Sequence, residues 1–505
     1  MTPSAPVTLD WLVLAPALVP VAGLLLVLVL DAVLPGRRGL HLAVGVVALV
    51  VAAATAVPRA LAPDSSPALS LCLPGGTEGA CFWRAGPLQS TLQVGVLAAT
   101  LAVLLLQSDR WHPAGTDAGA THDGAVDVAL LLGSATGGVA VAAASDVATW
   151  LIALELATLP VVALVALRRT RESAHGALTL MMTSLLSFAI LVVGAGLWVL
   201  ATGGSTLTGA AVRVAWADAA TRPVLVLAVL ALIAGVGFKL SAVPFHAWTP
   251  PTFTSAPLPV TALLAAASKV AALAALLIVL APLAGLVGAQ PAPHAIAFVL
   301  GALALASMLV GTVLALRAVD VVRLLAWSTI AQAGWVLLPL SALTAAGHRA
   351  AAGYVLTYAA ASLVAFAAVS AVRRTTGGEP GSGRELSAYT GLARTHPHVG
   401  GPLVLALLTF AGLPPGILGL VAKVVALRPL LGAGLWPLAV AAVVGVVLGI
   451  AVYLRWVAVL LGDPAGAEAE RDVHLDRGAL SVLALGSALL VVATVVPHVL
   501  YGLLS

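Results

Sequence analysis

The chain contains three lysines, Lys239, Lys269 and Lys423, against twenty-one arginines. Each lysine falls in an apolar run, and Lys239 follows sixteen residues, Pro223 to Phe238, that carry no charge. Of twenty acidic residues only Glu155, in "WLIALELATLP", lies in the middle of such a run. A charge at mid-bilayer costs about 2.5–3.5 kcal/mol on insertion scales. A desolvated ammonium can give up its proton, whereas a guanidinium keeps it. Drift in an arginine-rich coding sequence explains the loss of surface lysine, but not why the survivors are the three within spans. A site that alternates between charged and neutral would tolerate lysine and reject arginine. The competing account is structural: each lysine snorkels to an interface or holds a fixed salt bridge with Glu155. One carboxylate cannot pair with three ammonium groups. Lys269, in "LLAAASKVAALAALL", is too central to snorkel easily. The residues point to a proton or ion pathway, with Lys239 and Lys269 at its centre.

Helix breaks accompany these lysines. Pro244, Pro250 and Pro251 interrupt the run after Lys239, and Pro414 and Pro415 in "TFAGLPPGILGLVAK" interrupt the run before Lys423. Backbone groups freed at membrane depth are tolerated only when buried in protein or facing a hydrated cavity. Broken spans five segments apart, each with a nearby lysine, suggest two inverted repeats over 125–282 and 294–460. Residues 1–124 then form an N-terminal group of three spans, and 461–505 an inner loop and a last span. Polar stripes recur at helical spacing: Thr179, Thr183 and Ser187; Ser328 and Gln332; Tyr354, Tyr358 and Ser362. Alone they fit close helix packing; beside buried lysines they could line a file of water. His246 and Trp248 read as interface anchors, and His246 equally as a member of a proton path. Arg317, Asp320 and Arg323 look like a solvated ion-pair ladder.

These spans must be set in a membrane. The sequence is 61% hydrophobic and 9% charged, with a mean hydropathy of +1.10, where a soluble chain carries about a quarter charged residues. The expected fold is all-α and polytopic. The start, "MTPSAPVTLDW", lacks a basic n-region, so the first run is expected to be a retained span. About twenty apolar residues cross a bilayer, and fourteen runs qualify: 12–34, 40–61, 88–107, 125–144, 146–167, 173–201, 222–248, 256–282, 294–316, 324–343, 351–372, 399–427, 434–460 and 479–503. The stretches 373–397 and 462–478 have loop character and resemble no catalytic module. An even count puts both termini on one side. With both on the outer face, fifteen of the twenty-one arginines face the cytoplasm, as the positive-inside rule favours. The net charge of +4 is scattered between spans rather than clustered, which argues against nucleic acid. Cys72 and Cys81 bracket "LPGGTEGA" on the same outer side. They are either a small disulfide or two inert thiols, and nothing nearby completes a metal site. There is no GK[ST] phosphate loop, CxxCH haem site or nucleophile elbow.

The block "FKLSAVPFHAWTPPTFTSAPLPVTALLAAASKVAALAALL" resembles the N-type antiporter-like subunits of bacterial proton-pumping NADH–quinone oxidoreductase, respiratory complex I. Further matches are "ELATLP" at 155–160, "RLLAWSTIAQAGW" at 323–335, "YVLTYAAASLVAFAAV" at 354–369 and "AGLPPGILGLVAK" at 411–423. M-type and L-type subunits and cation/proton antiporters share the lysines but typically follow the break with WLPxAH; these are the alternatives. The resemblance implies that Glu155 and Lys239 form the interacting pair of a first half-channel, Lys269 a central relay and Lys423 the exit-side lysine. It implies that the chain binds no cofactor itself, with FMN, iron–sulphur clusters and quinone in partner subunits. Its neighbours would be M-, K- and L-type subunits in the cytoplasmic membrane. Three residues depart from the family pattern: Gln332 replaces a histidine of the central relay, Pro251 an acid, and Phe253 a tyrosine. With Gln332 unable to titrate, the proton would pass by water or by Tyr354 and Tyr358.

Overall fold

In the computed structural model, residues 9–62, 64–73, 81–107, 124–207, 209–286, 293–374, 384–464, 471–473, 475 and 477–497 are described. Both chain ends, Arg110, and residues 375–383, 465–470, 474 and 476 of the expected loops lie outside them. The chain begins with α1 (Trp11–Val33) and α2 (Arg38–Ala60), a hairpin of β1 (Ala68–Cys72) and β2 (Cys81–Ala85), and α3 (Pro87–Leu106). Then come α4 (Gly124–Ala143), α5 (Val147–Ala166), α6 (Arg171–Thr202), the short α7 (Gly209–Ala217), α8 (Thr221–Leu240), α9 (Thr249–Ser255), α10 (Leu258–Ala265) and α11 (Ala267–Leu280). The second half has α12 (His294–Arg317), α13 (Val321–Leu337), α14 (Ala345–Ala371), β3 (Val372–Arg374), α15 (Leu392–Thr395), α16 (Pro397–Ala411), α17 (Ile417–Gly432) and α18 (Trp436–Leu460). β4 (Arg471–Val473) and α19 (Arg477–Val495) follow.

Among the described residues thirteen helices are long and apolar enough to cross a membrane, α10 and α11 counting together as one. The broken pair α16 and α17 supplies the fourteenth expected span. Lipid is as apolar as the core, so the outer helix faces stay greasy: Leu25, Val47, Leu200, Phe298 and Val447 are all exposed. The polar atoms turn inward instead. α4, α11, α13 and α14 are buried nearly all round, with α14 packed against α3, α10, α11, α13, α16, α17 and α19.

Helix entry follows ordinary capping chemistry. Asp146 accepts from the Ala148 and Thr149 backbone nitrogens at 2.9 and 3.0 Å to start α5, and Asp320 accepts from Arg323 N at 2.7 Å to start α13. Close crossings use glycine. A Cβ on Gly137 of α4 would sit 2.1 Å from the Ala157 nitrogen of α5, and one on Gly311 of α12 2.4 Å from the Ala331 nitrogen of α13. Gly311, Asp320 and Ala331 thus repeat the spacing of Gly137, Asp146 and Ala157.

The structure corrects some expectations and sharpens others. The seventh span does not run through to 248: α8 ends at Leu240, and a turn leads to α9. The eighth is itself broken, because Ala266 leaves helical geometry (φ −109°, ψ −82°) between α10 and α11. The twelfth breaks where Pro414 and Pro415 were expected to interrupt it, into α16 and α17. The all-α architecture carries two small antiparallel sheets, β1–β2 and β3–β4. Cys72 and Cys81 face each other across the first sheet and form a disulfide. Asp320 is a helix cap rather than part of an ion-pair ladder, because the chain turns between α12 and α13.

Gly137→Ala should lower the thermal midpoint of the purified protein by several degrees, since overpacking against backbone costs about 1–3 kcal/mol. Gly196→Ala, with nothing within 4 Å of the added carbon, should leave it unchanged or raise it. Equal midpoints for the two variants would mean that the α4–α5 crossing is not held by this contact.

Candidate functional site

Lys239 lies in the last turn of α8 and Glu155 midway along α5. Their largely enclosed side chains form an ion pair, with Nζ 3.2 Å from Oε1. Lys239 Nζ also donates to Thr158 Oγ1 at 2.7 Å, a hydroxyl three residues after Glu155 and so on the same helix face. Two cavities of about 30 and 20 Å³ adjoin this lysine, the first bordered by Thr183, Ser184 and Ser187 of α6, the second by Thr100 and Ser134. Each exceeds the ~10–15 Å³ that one water needs.

The break after α8 leaves carbonyls without helical partners. Ser241 takes the left-handed conformation (φ 65°), and Ala242 N donates back to Gly237 O at 2.9 Å. Trp248 Nε1 donates to Phe238 O at 2.8 Å. Lys269, from α11 and 2% exposed, donates to Lys239 O at 2.8 Å and to Ser241 Oγ at 2.6 Å, with the Trp248 ring centre 5.0 Å below.

The second break is built the same way. Gly412 is left-handed (φ 79°), and Leu413 N donates back to Leu408 O at 3.0 Å. Lys423, 5% exposed, donates to Phe410 O and Ala411 O at 2.7 and 2.8 Å, over the Trp335 ring at 5.7 Å. Counted back from the left-handed residue, Lys239 O and Phe410 O are the same carbonyl of the two breaks. The lysine reaching it comes from the next span in one half and from the returning helix in the other. That return is tight: a Cβ on Gly419 would lie 1.7 Å from Thr409 O.

Beyond Lys423 a neutral network runs through the second half. Trp335 stacks on Tyr354, with ring centres 5.8 Å apart. Tyr354 donates to Gln332 Oε1 at 2.5 Å, Gln332 Nε2 donates to Tyr453 OH at 2.8 Å, and Tyr453 OH lies 2.7 Å from Ser328 Oγ. Tyr358 donates separately to Thr329 Oγ1 at 2.9 Å. Sequence reasoning missed Tyr453, Thr158 and Ser241. Tyr453 is one of five tyrosines in the chain, and its place inside an apolar span was the available signal.

Other expected residues fall elsewhere. His246 sits in the turn after the first break, its ring 5.8 Å from that of Trp327 and its Nδ1 without a hydrogen-bond partner among the described residues. Trp248 is 3% exposed; it supports Lys269 and does not anchor an interface. Thr179 and Thr183 bond carbonyls of their own helix. Outside the spans, Arg384 crosses between the halves: its Nη1 donates to Thr254 O in the last turn of α9 at 2.5 Å, while its own carbonyl accepts from Val321 N at 2.8 Å. Burial draws this guanidinium below arginine's usual value.

A bundle with helices broken at membrane depth, an ammonium seated at two of the breaks and a largely enclosed ion pair beside the first defines an ion-translocating class of membrane protein. The family described as NADH:quinone oxidoreductase/Mrp antiporter, TM, matches residues 144–449. The chain belongs to this family. It is 35% identical over 477 residues to NADH-quinone oxidoreductase subunit N 2 of Streptomyces griseus, covering 92% of this chain and 85% of that one. A chain of respiratory complex I from Thermus thermophilus superposes with a TM-score of 0.78 at 26% identity, covering 97% of this chain and 99% of that one. A chain of the Mrp complex from Dietzia superposes with a TM-score of 0.81 at 19% identity, covering 98% and 96%, a likeness of fold alone.

Tyr453→Phe should lower the thermal midpoint by an amount equivalent to about 1–3 kcal/mol, because Gln332 Nε2 loses its buried acceptor. Tyr389→Phe is the control: its buried hydroxyl has no hydrogen-bond partner among the described residues, so its removal should be neutral or stabilising. An unchanged midpoint in Tyr453→Phe would remove Tyr453 from the centre of the network.

Proposed function

We propose that the chain is the N-type proton-translocating membrane subunit of NADH–quinone oxidoreductase. The observation that carries the reading is that Lys269 binds the carbonyl of Lys239, whose own ammonium is paired with Glu155. Three titratable groups thus meet at one helix break. Likeness to a subunit N over most of both chains favours this type, while the fold is common to the Mrp neighbour.

In this reading NADH oxidation by flavin and iron–sulphur centres and quinone reduction take place on partner subunits. M-, K- and L-type subunits flank the chain in the cytoplasmic membrane, and both termini face outward. Two five-span units, 125–282 and 294–460, act as inverted half-channels; an odd number of spans reverses the second relative to the first. The repeated spacing of Gly137, Asp146 and Ala157 in Gly311, Asp320 and Ala331 supports the pairing. Two unit charges about 4 Å apart interact by ~4 kcal/mol at an effective dielectric constant near 20. Drawing Glu155 away from Lys239 therefore changes the energy of the Lys239 ammonium enough to release or capture a proton. The small cavities beside Lys239 admit the water that carries it. Lys269 and Lys423 pass the charge onward.

Detergent extracts should contain this chain in an assembly with flavin and iron–sulphur absorbance. Recovery alone, or only with transporter-like subunits, would overturn the reading in favour of a cation/proton antiporter. Within that assembly, Lys269→Ala should sharply reduce NADH-driven proton pumping. Lys269→Arg should fail as well, since it keeps the charge and the donors but cannot titrate. Full pumping in Lys269→Arg would leave the lysine as a structural cap only.

A further inference from the structure

A cavity of about 350 Å³ lies away from the lysines, between α1, α2 and α3 at the end that adjoins the β1–β2 hairpin. This is within the size range of small-molecule sites, which starts near 300 Å³. Its walls are apolar, with Leu12 and Val13 from α1 and Val51 and Ala54 from α2. Leu12 and Val51 are exposed on the lipid-facing surface, so the cavity opens sideways. Arg59, in the last turn of α2, borders it and has no ion-pair partner among the described residues. Val51 and Arg59 are two turns apart on one helix, about 12 Å along its axis.

Part of the polar lining is already satisfied. Thr55 Oγ1 already donates to Ala52 O, and Gln93 Nε2 to Val139 O. Ser90 is 1% exposed and lines the cavity. A hydroxyl on a cavity wall can donate to water or a ligand there. An unpaired guanidinium at the membrane boundary, a hydroxyl donor just inside and an apolar channel beyond form an ordered series. An anionic headgroup, an ester linkage and a hydrocarbon chain complement it in the same order.

We propose that this cavity binds an anionic glycerophospholipid, with its phosphate on Arg59, an ester carbonyl accepting from Ser90 Oγ, and one acyl chain along Leu12, Val13 and Val51. The lipid fills the gap between the three N-terminal helices and fixes their packing on α4. The site is independent of the lysine pathway.

The test uses the full chain in its native assembly, delipidated in detergent and titrated with phosphatidylglycerol or with zwitterionic phosphatidylcholine, the bound lipid being counted by native mass spectrometry. Phosphatidylglycerol should be retained in preference. Arg59→Gln should weaken its binding about tenfold, the loss of one charge-assisted hydrogen bond. Ala54→Trp, which fills the cavity, should abolish it. Unchanged retention in either folded variant, or equal retention of the two lipids, overturns the proposal. Cryo-electron microscopy of the unmodified assembly is a second measurement independent of variant folding. Phosphate density beside Arg59 supports the site; a neighbouring subunit's helix in the cavity, or no density there, overturns it.

Discussion

Carbonyls set free where a helix stops inside the bundle must find donors, and the rest of the structure depends on that constraint. A buried polar group left unpaired costs about 1–3 kcal/mol, and no bulk water is at hand to supply the bond. An ammonium has three donors and no acceptor, so one lysine can satisfy several carbonyls at once. Lys423 takes two adjacent carbonyls, and Lys269 takes one carbonyl and the neighbouring hydroxyl. The negative end of the helix dipole and the tryptophan face beneath each lysine add favourable terms of up to ~2 kcal/mol each. Against them stands a desolvation cost of several kcal/mol per buried ion. With costs and gains of similar size, neither protonation state is locked, which is the property a relay needs. The break and the lysine are therefore one device.

The two halves apply this device asymmetrically. In the first, the residue whose carbonyl is capped is itself Lys239, paired with Glu155. In the second, the equivalent carbonyl belongs to Phe410, and the residue matching Glu155 in the spacing from the helix cap is Thr329. Among the described residues, only the first half sets a carboxylate against its lysine. The second half holds its lysine with neutral acceptors and adjoins a network of hydroxyls and one amide. Arg384 ties the halves mechanically, gripping the end of α9 while its backbone joins the start of α13.

Much of this was legible in the sequence because charge is rare in it. Three lysines and one mid-span carboxylate stand out against apolar residues, and the prolines at 244, 414 and 415 mark both major breaks. The break at Ala266 was not legible: it lies in an alanine-rich stretch with no proline or glycine signal beside it. Tyr453 was equally hidden, since a tyrosine in an apolar span reads as packing until α13, α14 and α18 bring four polar groups together. The role of Trp248 was misread for a related reason. Its neighbouring break suggested an interface, whereas the returning chain folds it back beneath Lys269.

The amide of Gln332 gives the second half a direction. Tyr354 donates into its oxygen, and its nitrogen donates to Tyr453 OH. The Tyr453 hydroxyl also lies 2.7 Å from Ser328 Oγ, where either group can be the donor. An amide donates through one atom and accepts through another, so the segment Tyr354–Gln332–Tyr453 is polarised one way. An imidazole exchanges those roles by shifting a proton between its two nitrogens; the amide has no equally accessible exchange. Gln332 therefore orients the Tyr354 and Tyr453 hydroxyls without carrying a proton itself. In the proposed relay, transfer through this half has two routes, water or the separate Tyr358–Thr329 hydroxyl pair. Of these, water is favoured, because the Tyr358–Thr329 pair ends on a carbonyl: Thr329 Oγ1 accepts from Tyr358 and donates to Leu325 O at 2.8 Å, and a backbone carbonyl does not pass a proton on.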